Sequence, residues 1–232
     1  MKNLLLIASI FSIVSCETLS SLPGAGGLVT ESEAGEGIRQ ALSNGVTTAI
    51  FQLNKEDGFF GNKAYKLLLP PDASRVEGTL RTIGLGKQVD KAILQINRAA
   101  EDAVGYAKPV FVNAIREMTI ADALQIIRGG NDAATNYFRQ KTRENLITAF
   151  SPSIQQSLDR LEATRYYGDI VKAYNGLPTT SRKVDPDLTA YVVGRATDAL
   201  FDQIAAEEAN IRANPAARTT AILKKVFGQY GR

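Results

Sequence analysis

The sequence predicts an all-α domain: a single compact multi-helix bundle with mixed crossing angles. Three observations carry that expectation. From residue 35 onward, apolar residues recur at three- and four-residue spacing, which places them on one face of an α-helix. Capping side chains, prolines and glycines punctuate these stretches at the positions where helices begin and end. Strand signals are scarce, and no apolar heptad persists over successive repeats, so neither a sheet protein nor a simple coiled coil fits.

The elements follow in chain order. Ile38, Leu42, Val46, Ala49, Ile50 and Leu53 line one face of a first helix beginning near Gly35. Gly58-Phe59-Phe60-Gly61 reads as a turn, and Tyr65 to Pro71 as an extended piece, leaving room for one small hairpin over residues 58–70. Val76, Leu80 and Ile83 mark a short helix. Val89, Ile93, Ile96, Ala100 and Val104 mark a longer one that stops before Pro109. Thr119 with Asp122 has the spacing of a capping box, and Gly129-Gly130 is expected to close the following helix in the left-handed conformation. Ser151-Pro152, Asp185-Pro186 and Asn214-Pro215 each set a capping side chain before a proline suited to the first helical position. Lys224-Lys225 ahead of Gly228 places cations and a cap at the end of the last helix.

The amino terminus has a different character. Lys2 precedes an apolar run from Leu4 to Val14, long enough for a signal segment and well short of the ~20 residues that span a bilayer. Ile13-Val14-Ser15-Cys16 follows the pattern of a lipoprotein cleavage site. Similarity to that class implies a diacylglycerol thioether and an acyl chain on Cys16, with residues 1–15 removed. Several acyl chains hold firmly where one holds marginally, since each buried CH₂ contributes about 0.8 kcal/mol. Residues 16–34, rich in Gly and Ser, read as the lipidated cysteine and a flexible tether with a reach on the order of 20 to 25 Å. The domain proper is expected over 35–232. Glu17 is not the aspartate associated with inner-membrane retention, so the expected address is the periplasmic face of an outer membrane.

Composition restricts the chemistry. Lys and Arg number 27 against 24 Asp and Glu, a net charge of +3, and the charges are mixed rather than run together, which gives no nucleic-acid footprint. The chain has no histidine, and Cys16 is its one cysteine. Triads built on histidine are therefore excluded, and no metal or cofactor is expected. A carboxylate pair could still cut glycosidic bonds, as in enzymes acting on peptidoglycan, but Glu207 and Glu208 are adjacent and point about 100° apart on a helix. Gly129-Gly130-Asn131-Asp132 ahead of a helix could cradle an anion, although a cap and tight turn is the commoner use of that pattern.

One polar position stands out. On a helix from about residue 187 to 212, Val193, Ala196, Leu200, Ile204 and Ile211 form a stripe that contains Glu207, while Glu208 falls outside it. A carboxylate on an apolar face needs a partner. Arg98, Arg128 and Arg139 are the candidates, and Asn97 and Glu101 join Arg98 in a possible buried polar network.

Asn97-Arg98-Ala99-Ala100-Glu101, Met118 to Ala123, Ala133 to Arg139 and the closing Glu207 to Arg218 resemble segments of a bacterial lipoprotein family, domain of unknown function 4197. The resemblance runs from about Gly35 to Phe227. It implies an envelope-located, mainly helical domain and carries over no catalytic or ligand residue. The function expected is thus a non-catalytic interaction or structural module, anchored to the membrane through Cys16 and serving an envelope protein partner. A carrier of an acyl chain or another apolar ligand is the alternative.

Overall fold

The computed structural model describes residues 29–74, 77–178, 180, 183–184, 187–218 and 220–229. Cys16, the signal segment and the tether through residue 28 lie outside the described residues, as do Val76 and Asp185-Pro186. Among the described residues the chain is helical, with no strand. The helices are α1 (Glu31–Asn54), α2 (Pro71–Ser74), α3 (Glu77–Thr82), α4 (Gly86–Val104), α5 (Ala107–Glu117), α6 (Ile120–Arg128), α7 (Ala133–Arg160), α8 (Ala163–Asn175), α9 (Thr189–Ala213) and α10 (Ala221–Gln229). A 3₁₀ turn, Pro215–Ala217, links the last two.

Two long helices, α7 and α9, pack on each other at the centre, with α1 against α9 and α4 against α7. Helices α5 and α6 close the side next to α1, α8 covers α4, and α10 lies on α1. Phe111, Phe138 and Phe201, from α5, α7 and α9, meet at the middle. Phe111 stands edge-on to both of the others, with centroids 5.1 and 6.3 Å apart, the arrangement that ring quadrupoles favour.

Local chemistry accounts for most boundaries. Helix α1 begins at Glu31, inside the stretch expected to be tether, because Thr30 and Glu33 form a reciprocal capping box. Thr119 and Asp122 form the same box at α6. Asn214 accepts from the Ala216 amide and sets the 3₁₀ turn with Pro215 at its start.

Three expectations are corrected. Residues 58–70 contain turns and irregular backbone instead of a hairpin; a Cβ at Gly58 would come within 2.3 Å of the Leu53 carbonyl oxygen, so the chain folds back on the end of α1 too tightly for strand pairing. Gly129 closes α6 in extended backbone, φ −78°, instead of left-handed. Its glycine is needed for close approach, since a Cβ there would lie 2.5 Å from that of Ala133. Pro152 sits inside α7 and starts no helix. Proline in a helix interior costs ~3 kcal/mol, but Leu146, Phe150, Ile154 and Leu158 are all buried on one stripe through it, each contributing about 1.5–3 kcal/mol. Pro152 and Thr148, whose carbonyl loses its donor, lie on the exposed side.

Candidate functional site

Two buried carboxylates organise the fold, and each has its own arginine. The first is Glu101 on α4, 3% exposed. One of its oxygens accepts from the backbone amides of Phe59 and Phe60, both at 3.0 Å. The other accepts from Arg98 Nη1 at 2.6 Å, and Arg98 Nη2 also reaches Asp57 at 2.8 Å. One turn earlier Asn97, fully buried, donates to the Leu67 carbonyl at 2.7 Å and accepts from the Leu67 amide at 2.8 Å. Its amide thus stands in for a neighbouring strand. Asn97, Arg98 and Glu101 together fasten the long α1–α2 connection to α4.

The second carboxylate is Glu208, which corrects the expectation for α9. Glu208 is 8% exposed, while Glu207 is half-buried beside Gly45 and reaches none of the three arginines proposed for it. Arg98 is taken by Glu101 and Asp57. Arg128 is exposed, 3.9 Å from Glu31. Arg139 stacks its guanidinium over Phe201 at 4.9 Å. Packing explains the one-residue error: Val193, Thr197, Leu200, Ile204 and Glu208 all face inward, a stripe that steps by four after Ile204 because α9 must reach the start of α7 as well as α1. A sequence signal existed in the four-residue spacing of Glu208 and Arg212, a favourable helical pair.

Glu208 accepts from the Ala134 amide at 3.0 Å, the Thr135 amide at 2.9 Å and the Thr135 hydroxyl at 2.9 Å. Arg212 donates to it at 2.7 and 2.9 Å and also to the Ile126 carbonyl at 2.8 Å. The pair therefore straddles the α6–α7 corner. A cation meets the carboxyl end of α6 and an anion the amino end of α7, complementing both helix dipoles and satisfying backbone groups that helix ends leave open. Amides after Gly129-Gly130 do meet an anion, and it is the chain's own Glu208.

The outer face of this corner is an open groove of about 600 Å³. Gln125 from α6, Asn131 from the turn, and Asn136 and Gln140 from α7 line it with carboxamides, joined by Tyr137 and Lys141. These carboxamides make no side-chain hydrogen bond to another described residue. The Asp122 carboxylate at the edge is taken by the Thr119 amide and hydroxyl, which hold its pKa below the ordinary carboxylate value. Burial, with Asp122 and Glu117 nearby, pushes the Tyr137 phenol upward, so it remains a neutral donor; its hydroxyl donates to the Ala114 carbonyl at 3.3 Å.

Among the described residues no group of three His, Cys, Asp or Glu side chains is placed to hold a metal ion. No described helix is long and apolar enough to cross a membrane. An apolar recess lined by Ile38, Leu42, Phe138, Ile211 and Phe227 has a volume of only about 30 Å³.

No curated protein and no solved structure matches this chain. One family model does, over residues 28–228, which takes in both buried pairs, the corner they hold and the groove outside it: the chain belongs to the family described as protein of unknown function, DUF4197.

Proposed function

We propose that this chain is a non-catalytic binding module of the bacterial envelope, anchored through lipidated Cys16 on the periplasmic side of the outer membrane, and that it binds through the α6–α7 groove. One observation carries the reading. A buried ion pair from a distant helix pins the corner from behind, while the groove in front displays carboxamides to which no other described residue hydrogen-bonds. The pinned corner fixes the backbone beneath these exposed side chains, so the shape of the groove is set during folding and not on binding. The acyl-carrier alternative has less support: a recess of about 30 Å³ is an order of magnitude below the roughly 300 Å³ at which ligand pockets begin.

A photo-crosslinking amino acid placed at Gly130, where an added Cβ meets nothing within 4 Å, tests the groove in the native host. Adducts of discrete mass are expected there and not at Gln156, which lines a different concavity. Equal labelling at both positions, or none at Gly130, would refute the groove. Mass spectrometry of the mature amino terminus tests the anchor, and an unmodified, soluble terminus would remove it.

A further inference from the structure

We infer that the ligand of the α6–α7 groove is neutral and hydroxyl-rich, a short saccharide; this rests on the groove reading and names its ligand. The volume of about 600 Å³ lies within the roughly 300–1,000 Å³ that small-molecule sites occupy. The lining then excludes ligand classes in turn.

An anion is disfavoured. The amides at the start of α7 that would hold one, those of Ala134 and Thr135, already donate to Glu208, and Asp132 stands at the groove wall. A metal cation finds no cluster of three carboxylates among the described residues, and Asp122 is engaged by Thr119. Asp122 and Asp132 against Lys141 leave the lining with one net negative charge, which further disfavours an anion. An apolar ligand would strip water from Gln125, Asn131, Asn136 and Gln140 without replacing its hydrogen bonds, which is costly. An extended peptide is normally read by main-chain pairing at a sheet edge, and both walls here are helices whose interior amides are already paired.

Saccharide hydroxyls suit what remains. Each hydroxyl donates and accepts, and each carboxamide offers an acceptor oxygen and two donor hydrogens, so neighbouring pairs satisfy both partners. Asn136 and Gln140 are four residues apart and share one face of α7. Tyr137 beside them adds aromatic surface, its hydroxyl donating to the Ala114 carbonyl.

Titration of the full chain with chitotriose and maltotriose, followed by nuclear magnetic resonance of side-chain amides, tests the inference. Saturable shifts of the Asn136 and Gln140 amides are expected, with a Kd in the millimolar range or tighter. Asn136→Ala with Gln140→Ala should raise Kd at least about tenfold, and Gly130→Phe, which fills the groove, should eliminate binding. Gln156→Ala should leave Kd unchanged. Thermal melts show that each variant is folded, and the double alanine variant decides should Gly130→Phe unfold. No saturable binding of either sugar at about 10 mM, or binding that the groove variants leave intact, overturns the inference. So does a capped tetra-alanine peptide or inorganic phosphate binding in place of sugar; if Gly130→Phe abolishes that binding, the groove module itself survives and only its ligand class is wrong.

Discussion

Replacing Glu208 by alanine removes the carboxylate that ties α9 to the start of α7. Four groups lose their carboxylate partner at once: the Ala134 amide, the Thr135 amide, the Thr135 hydroxyl and Arg212. The Ala134 and Thr135 amides, at the buried start of α7, have no other acceptor among the described residues. The Arg212 guanidinium, its side chain 13% exposed, keeps the Ile126 carbonyl and the face of Phe227 but no anion. Removing one partner of a buried ion pair costs roughly 3–5 kcal/mol, because the remaining charge stays desolvated. For a domain of this size about 1 kcal/mol corresponds to 2–4 °C in Tm, so a fall of about 6–20 °C is expected. Glu207→Ala provides the internal comparison: half-buried and without a described ion pair, it should change stability by less than about 0.5 kcal/mol. Urea denaturation and thermal melts of both variants measure the contrast. Replacing both members of the pair, Glu208→Gln with Arg212→Met, should restore part of the loss, since the unpaired cation is then gone. Equal and small effects of Glu207→Ala and Glu208→Ala would refute the assignment of Glu208 as the buried anchor.

Other expectations follow from the same geometry. Asn97→Ala leaves the Leu67 amide and carbonyl without partners, at about 1–3 kcal/mol for each buried group; limited proteolysis should then cut within residues 58–70 before the rest of the domain unfolds, and unchanged resistance there would contradict the strand-like role of its amide. The Asp122 carboxyl has its pKa lowered in the folded state by the Thr119 amide and then its hydroxyl, so its contribution is fully present above the unfolded value of about 4 and is lost as pH falls through the lower folded value. Tm measured from pH 5 to pH 2 should therefore decline less steeply in Asp122→Asn than in the parent. The Thr197 hydroxyl is buried without a hydrogen-bond partner among the described residues, so Thr197→Val should be neutral or stabilising by up to about 1 kcal/mol, and a loss above 1 kcal/mol would show that the hydroxyl is engaged.

Reading the chain alone identified the family by resemblance, and the helical class and several boundaries because these depend on information within four residues of each position. Thr119 and Asp122 cap a helix wherever that helix is packed, and the stripe from Val89 to Val104 is buried in α4 with Asn97 and Glu101 on the same inner side. Local rules failed where two distant segments compete for one position. Pro152 looked like a helix start and lies within α7 because four apolar side chains along one face outweigh one lost hydrogen bond. Glu207 and Glu208 both fit a helical period, and only the arrival of the α7 amino end beside α9 selects Glu208. The double glycine was legible as a turn or anion cradle, but the groove outside it arises from the crossing of α6 and α7, and Glu208 has taken the backbone amides that would have held an anion. A sequence states which groups can pair; the tertiary structure decides which of them already have, and that decision leaves the unengaged groups at the surface.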